Sequence, residues 1–284
     1  MGAYVKMAAT LLLVFLPVFG MSCGRPHPEI TAGTSLVQEL ANDLLRTKVP
    51  ARTLLPPDMC PGHYDMRPGD IEAVAQCRLL LIQPWQKGMP NITGAIKAAG
   101  ISEERVRVVP VDGNWMVPEK RAEAARAIGA MLAEEFPDQK DIILARAEAL
   151  AAQTLAAGTA VQGRLASVRS SSISVLCNEQ QAPFVQWAGF HVVKTFGRPE
   201  GLSVALVEEL TRLAKEDGVA LVIDNMQSGS TKMGESLART TATVHVLLSN
   251  FPGSEPGTER WEGMMNKNVD TLLAGVEAWR KAHG

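Results

Sequence analysis

The sequence lacks the patterns that mark nucleic-acid-binding proteins and the common enzyme classes. Its 28 lysines and arginines are balanced by 30 aspartates and glutamates, so the formal net charge is -2 and no basic patch stands out. Nucleic acid is therefore not expected as a partner, because phosphate binding depends on clustered positive charge. The chain has no G-x-S-x-G, no phosphate-binding G-x-x-x-x-G-K and no G-x-G-x-x-G after its first predicted strand. We do not expect an enzyme.

Long apolar runs are also absent, except at the N-terminus. Lys6 precedes an apolar run from Met7 to Gly20. This run is shorter than the roughly 20 residues of a spanning helix and has the length of a signal-peptide hydrophobic region. Small residues then lead to Cys23, as in a bacterial lipobox, although Gly20 stands where leucine is expected. We predict a signal peptide over residues 1–23 and a lipid anchor on Cys23; the alternative is an ordinary cleaved signal.

Cysteine is scarce, with 4 in 284 residues. Cys77 lies on the apolar stripe of a predicted helix and is interpreted as a core residue. Cys60 and Cys177 lie in loop-like contexts of a predicted exported protein. There they form a disulfide, bind a soft metal or stay free, and the sequence leaves these alternatives open.

Strand-like and helix-like segments alternate after a short tether at residues 24–29, which predicts parallel sheets flanked by helices. We predict an N-terminal α/β lobe over residues 30–136 and a C-terminal α/β lobe over residues 170–284. Residues 137–169 between them form one Ala-rich helix, roughly 45 Å long at 1.5 Å per residue. The predicted fold class is α/β, with two Rossmann-like lobes joined by one long connecting helix.

Polar loops follow five of the predicted strands. Ligands of open α/β sheets bind beyond the carboxyl ends of the strands, so these loops predict one ligand cleft. A single asparagine there is more simply a helix cap or a turn residue, but such residues recur at successive strand ends. The side chains that we expect at the cleft are Asn114, Trp115, Asn178, Asn225 and Asn250.

The order of these loops resembles the zinc- and manganese-type solute-binding family of ABC importers, which includes TroA and ZnuA. His63 and Pro68-Gly69-Asp70 match the first ligand histidine of that family and the helix start that follows it. Trp115 matches a residue two positions after the second ligand histidine. Gly113 stands at that histidine's position, beside Asn114.

The third and fourth ligand positions of the family also carry other residues here. The third falls on Asn178, with Cys177 and Glu179 beside it, and the fourth falls on Asn250. Asparagine is a poor ligand for Zn²⁺, which prefers histidine, cysteine and carboxylate. Only His63 therefore matches the ligand set that the resemblance implies.

Three kinds of site remain open. The first combines nitrogen and oxygen donors, namely His63, Glu179 and one of Asp65 or Asp224. The second is a softer site for zinc or copper(I), formed by Cys60, His63 and Cys177. In the third, the Asn, Gln and Trp side chains hold a chelated metal or a small organic solute.

The resemblance implies a lipoprotein that captures a transition-metal ion, zinc or manganese first, between its lobes and delivers it to an ABC permease. We expect a monomer in the periplasm or on the outer face of the cytoplasmic membrane, with membrane contact through the lipid anchor only. One alternative is a cysteine-dependent hydrolase, with Cys177 as nucleophile, His63 as base and Asn250 as the orienting amide. Another is a metallochaperone or adhesin-like module without an importer.

Overall fold

The fold consists of two α/β lobes, each built on a four-stranded parallel sheet. The computed structural model of the chain describes residues 28–201 and 203–284. The predicted signal peptide and its Cys23 lie outside these described residues, as does most of the predicted tether. Within them, no helix has both the length and the apolar character that a membrane crossing requires.

The N-terminal sheet has the strand order β2-β1-β3-β4. Its strands are β1 (Ile30–Ala32), β2 (Arg52–Thr53), β3 (Leu79–Ile82) and β4 (Val106–Val108). Its helices are α1 (Ser35–Leu45), α2 (Pro68–Gln76) and α3 (Pro90–Ala99). All four residues of β3 are buried, as is typical of a central strand with both faces covered by helices.

Two long helices follow the N-terminal sheet, α4 (Pro118–Glu135) and α5 (Lys140–Ala166). With 27 residues, α5 is about 40 Å long and is the predicted connecting helix. A 3-10 turn over Pro137–Gln139 separates it from α4. The two helices pack closely at Gly129, where a Cβ atom would lie 2.6 Å from the Cβ of Ala147. Glycine is therefore required at this crossing.

The C-terminal sheet repeats the arrangement, with the order β6-β5-β7-β8. Its strands are β5 (Ser174–Asn178), β6 (His191–Phe196), β7 (Leu221–Asn225) and β8 (Val244–Leu248). Its helices are α6 (Ala182–Trp187), α7 (Val204–Glu216), α8 (Lys232–Thr241) and α9 (Trp261–His283). The predicted fold class, two parallel α/β lobes joined by a long helix, is confirmed.

A buried contact at the start of α9 joins the lobes in addition to α5. The backbone N–H of Trp261 donates to the carboxylate of Glu39, at 3.1 Å from each oxygen, and its indole Nε1 donates to the carbonyl of Trp115 at 3.0 Å. The guanidinium of Arg121 lies 3.2 Å from Glu39 and 5.1 Å from the ring centre of Trp261. One hydrophobic core runs through both lobes around this contact.

Two features differ from the sequence-based expectation. Helix α3 was not predicted, because Thr93 and Gly94 have low helix propensity, although Pro90 begins the helix and Gly100 ends it with a positive φ of 64°. Cys177 is not in a loop. It lies inside strand β5 and is fully buried, because β5 continues to Asn178.

Candidate ligand-binding cleft

A cavity of about 320 Å³ lies between the lobes, where the loops after the strands of both sheets meet. Carboxamide side chains dominate its polar wall: Gln83, Asn114, Gln180, Asn225, Gln227 and Asn250. Three charged side chains also line it: Asp112, Glu179 and Arg198. Its apolar wall includes Trp85, Trp115, Phe251 and three prolines, Pro61, Pro84 and Pro183. The cavity thus offers hydrogen-bonding groups and an apolar surface to a ligand.

A carboxamide contact crosses the cleft. The Nδ2 atom of Asn114 donates to Oδ1 of Asn250 at 2.8 Å and to the carbonyl of Gln180 at 2.9 Å. The Nδ2 atom of Asn250 donates to the same carbonyl at 3.2 Å. Asn114 belongs to the N-terminal lobe, and the other two residues belong to the C-terminal lobe. Three of the strand-end loops are therefore held together by amide groups.

Gln227 adds a second bridge between the lobes. Its Nε2 atom donates to the carbonyl of Pro57, at 2.8 Å, and to Oγ of Ser249, at 2.9 Å. Its Oε1 atom accepts a hydrogen bond from the backbone N–H of Asn250 at 3.2 Å. Gln227 is buried, so these contacts satisfy both ends of its carboxamide.

The asparagines of the cleft also stabilise their own turns. Oδ1 of Asn114 accepts a hydrogen bond from the backbone N–H of Met116 at 2.8 Å, next to Gly113 with its positive φ of 99°. Oδ1 of Asn178 accepts one from the backbone N–H of Gln180 at 3.0 Å. The turn-stabilising role and the cleft-lining role are therefore compatible, since one end of the carboxamide fixes the loop while the other end faces neighbouring loops.

Glu179 and Arg198 lie close to glycines at the cleft. A Cβ atom at Gly197 would lie 3.5 Å from Oε2 of Glu179, and a Cβ atom at Gly62 would lie 3.1 Å from a guanidinium nitrogen of Arg198. Gly62 belongs to the N-terminal lobe, so the Arg198 side chain reaches across the cleft. These approaches place one carboxylate and one guanidinium at the same cavity.

His63 is exposed and does not line the cavity, although Pro61 of the same 3-10 turn does. Its ring faces the C-terminal lobe, where a Cβ atom at Gly229 would lie 3.3 Å from the imidazole. The segment that follows this turn is held by Asp70, whose carboxylate accepts hydrogen bonds from the hydroxyl of Tyr64 and the backbone N–H of Arg67.

The structure brings together only part of the predicted site. Asn114, Trp115, Asn225 and Asn250 line the cavity, together with Glu179. The Asn178 amide is buried beside the cavity, with Nδ2 bonded to Oγ of Ser228 at 3.2 Å.

The two predicted metal-ligand sets are not assembled. Among residues 28–201 and 203–284, no three His, Cys, Asp or Glu side chains lie close enough to hold a metal ion. Asp65 is exposed to solvent, and Asp224 pairs with His245 at 2.9 Å. Cys60 and Cys177 are free thiols, buried without a disulfide. The sequence pattern could not show these side-chain directions.

Asp224 and Cys177 point into the C-terminal lobe. Burial raises the pKa of the Asp224 carboxyl, and its hydrogen bond to His245 opposes that shift. Burial, and secondarily the charge of Asp224, raises the pKa of the Cys177 thiol. This thiol donates to the carbonyl of Asn178 at 3.3 Å. Such an environment disfavours the thiolate that a cysteine nucleophile or a soft-metal ligand must supply.

Sequence reasoning missed Arg198, Asp112 and the aromatic pair at the cleft. Trp85 of the N-terminal lobe and Phe251 of the C-terminal lobe face each other with ring centres 6.5 Å apart. Arg198 follows the end of β6, so the strand-end rule would have found it if applied to that strand as well. Asp112 begins the loop that carries Asn114 and lines the same cavity.

The comparisons with known proteins agree with this fold. The family model of the zinc-uptake complex component A, periplasmic (ZnuA), matches residues 30–275. No curated protein matches the chain. A crystal structure of ZnuA is similar, with a TM-score of 0.72 and 17% identity over 88% of this chain and 100% of that one.

Two further structures show the same likeness. A manganese-bound mutant of a periplasmic metal-binding protein from Candidatus Liberibacter asiaticus has a TM-score of 0.72 and 11% identity, over 88% of this chain and 100% of that one. The laminin-binding protein of Streptococcus agalactiae, described as an adhesin with metal-transporting activity, has a TM-score of 0.69 and 15% identity over the same shares. At sequence identities of 11–17%, the likeness to these structures shows the fold alone. The family match spans most of the chain, and the protein belongs to the ZnuA family of periplasmic zinc-uptake components.

Proposed function

We propose that this protein is an extracytoplasmic solute-binding component that captures a divalent transition metal, zinc or manganese first, and delivers it to an ABC permease. The observation that carries the proposal is the meeting of strand-end side chains from both sheets at one cavity. Asn114 and Asn250, from opposite lobes, bond directly there. A cargo bound in this cavity contacts side chains of both lobes.

The family and its structures support metal as the cargo. One similar structure is a ZnuA deletion mutant with zinc bound, and another is a cadmium-bound form of the Liberibacter protein. Their TM-scores are 0.71 and 0.72, so the two-lobed arrangement is shared. We therefore propose a metal ion as the cargo of this protein as well. Its ligands are proposed from the side chains that this chain has at the cleft.

Glu179 and His63 are the proposed donors from the protein. Glu179 lines the cavity and supplies a carboxylate. His63 lies in the 3-10 turn whose first residue, Pro61, lines the cavity, and its imidazole faces Gly229 of the C-terminal lobe. We assign no ligand role to Cys60, Cys177 or Asp224, because the two thiols are buried away from the cavity and the carboxylate is paired with His245.

Elemental analysis of the protein purified from its native compartment tests the cargo class. We expect a transition metal to co-purify, and the melting temperature to rise with cargo concentration because only the folded state binds. Glu179→Gln should lower the metal content. Glu208→Gln, at an exposed site on α7, is the matched control and should not. If no metal co-purifies and no metal, free or chelated, raises the melting temperature, the proposed cargo class is wrong.

The anchor and the site of action form a separate part of the proposal. The N-terminal pattern supports lipid attachment at Cys23 and a mature protein held at the membrane as a monomer. A Cys23→Ser variant should then move from the membrane fraction to the soluble extracytoplasmic fraction. An unchanged membrane fraction for this variant would contradict the lipid anchor without bearing on cargo binding.

A further inference from the structure

Building on the proposed function, we propose that the metal enters this cleft as an anionic chelate. The metal would be held by a small carboxylate-bearing chelator, and Arg198 would recognise the negative charge of the complex. The inference follows from the number of donors that the protein supplies, the size of the cavity, and the charge and chemistry of its wall.

The protein supplies too few donors for a bare ion. Zinc takes about four ligands in a tetrahedral site, chosen from histidine, cysteine and carboxylate. Across the part of the chain that the structure describes, no group of three such side chains is close enough to hold an ion. The cavity itself contributes the carboxylates of Asp112 and Glu179. The other coordination positions are left to water or to atoms of a chelator that arrives with the metal, and a chelator also uses the space and the polar wall of the cavity.

The cavity is larger than a single ion requires. Its volume is about 320 Å³, whereas one water molecule takes up about 30 Å³ in the liquid. Pockets for small organic ligands begin at about 300 Å³. The space therefore matches a small molecule, and a metal with its own chelator fills it where a bare ion would leave most of it to water.

Arg198 gives the cavity a positively charged group, beside the two carboxylates of Asp112 and Glu179. Its side chain lines the cavity, reaches Gly62 of the opposite lobe, and forms no ion pair with any other described residue. Arginine keeps its charge and binds carboxylates with two parallel hydrogen bonds. The guanidinium can bind a carboxylate of a chelator while the carboxylates of Asp112 and Glu179 face its metal, so the wall fits a complex that carries both kinds of group.

The amide wall complements oxygen atoms of a chelator. Oδ1 of Asn225 is occupied by a hydrogen bond from Nε2 of Gln181 at 3.0 Å, which leaves the NH₂ group of Asn225 available to a ligand. Amide N–H groups donate to carboxylate oxygens, whereas they offer nothing to a metal ion. Trp85 and Phe251 add an apolar side that suits the carbon skeleton of a chelator.

The test is isothermal titration calorimetry of the purified mature protein with three probes. These are Zn²⁺ alone, nitrilotriacetate alone, and their equimolar complex, which is anionic and leaves coordination positions open for a protein donor. We expect the complex to bind more tightly than either component. Arg198→Gln should weaken binding of the complex about 10- to 100-fold, the loss expected for a charge-assisted hydrogen bond.

Two further variants separate the role of charge from a general effect of substitution. Arg198→Lys keeps the positive charge but loses the paired geometry, so it should restore part of the affinity. Arg239→Gln, at an exposed site on α8, should leave the affinity unchanged. Melting temperatures of all variants check that each one is folded.

Each other outcome overturns a defined part of the account. If Zn²⁺ alone binds at least as tightly as the complex, and Arg198→Gln leaves that binding unchanged or stronger, the chelate inference is wrong while metal capture stands. If nitrilotriacetate alone binds as tightly as its zinc complex, the cargo is an organic anion, and both the inference and the proposed metal cargo fail. Binding of no probe would also contradict both.

Discussion

The Nδ2 atom of Asn114 donates a hydrogen bond to Oδ1 of Asn250 over 2.8 Å, from one lobe to the other. These residues occupy, or stand beside, positions at which the family resemblance places the second and fourth metal ligands. These two ligand positions therefore converge in space, but Asn250 occupies one of them and Gly113, with Asn114 beside it, occupies the other. The cleft thus joins the two lobes through carboxamides at or beside the positions where the resemblance implies metal ligands.

Removing the Asn114 amide should weaken the contact between the lobes. Asn114→Ala deletes the bonds to Asn250 and to the carbonyl of Gln180, and it also removes the acceptor of the Met116 backbone N–H within the turn. We expect the free energy of unfolding to fall by about 1–2 kcal/mol, measured by urea denaturation. Gln153→Ala at an exposed position of α5 is the control, with an expected change within about 0.5 kcal/mol. Equal effects at the two sites would argue that the bridge adds nothing.

Two glycines inside helices should respond to alanine in opposite directions. A Cβ atom at Gly234 in α8 would overlap Oδ2 of Asp224, so Gly234→Ala should destabilise the fold by about 1–3 kcal/mol. A Cβ atom at Gly163 in α5 meets nothing within 4 Å, so Gly163→Ala should stabilise by up to about 1 kcal/mol through helix propensity. Thermal unfolding measures both, and stabilisation by Gly234→Ala would show that α8 does not lie against Asp224 as described.

The buried carboxyl of Asp224 predicts a direction of pH dependence. Burial raises its pKa above the ordinary value of 3.8, so the folded state binds this proton more tightly than the unfolded state. Its stabilising contribution is full below pH 3.8 and declines as the pH rises through the raised pKa. The free energy of unfolding of the natural protein, minus that of Asp224→Asn, should therefore fall with pH above that value.

The exposed Asp217 gives the matched control for this measurement. The difference curve for Asp217→Asn should be the flatter of the two. A difference that rises with pH for Asp224→Asn would mean that His245 dominates over burial and that the pKa of Asp224 is lowered in the fold.

The three described cysteines should resist alkylation in the folded protein. All of them are buried, and burial raises the pKa of the Cys177 thiol, so little reactive thiolate is present. Iodoacetamide should modify Cys177 slowly in native protein and rapidly in urea, with peptide mass spectrometry scoring each cysteine separately. Rapid native alkylation of Cys177, abolished in His63→Ala, would instead support the cysteine-hydrolase alternative.

The fold could be predicted from the sequence because predicted strands and helices alternate along the chain. Buried runs such as Leu79–Ile82, the turns after them and the Ala-rich segment before Ala166 predicted the parallel sheets and the connecting helix. Helix α3 was not predicted because its helix propensity is low. The helix is stabilised by Ile92 and Ala95, which are buried in the core. Tertiary packing overrides weak local preference at such places.

Only the general position of the site could be predicted from the sequence. Strand-end position indicated Asn114, Asn225 and Asn250, which line the cavity because the loops at the carboxyl edge of each sheet gather there. It could not indicate that Cys177 faces the core, because a strand that continues one or two residues further turns a loop residue into a buried one. Nor could it show that Arg198 crosses to Gly62, because such contacts depend on the distance between the lobes.

The central claim, that cargo is held between the lobes, is tested most directly by X-ray diffraction at the zinc absorption edge. Crystals would be grown with the zinc complex of nitrilotriacetate. We predict one strong anomalous peak inside the cavity, between the Asn114–Asn250 bridge and Glu179, with chelator density next to Arg198. An anomalous peak only at surface histidines such as His283, with the cavity filled by water, would contradict the account.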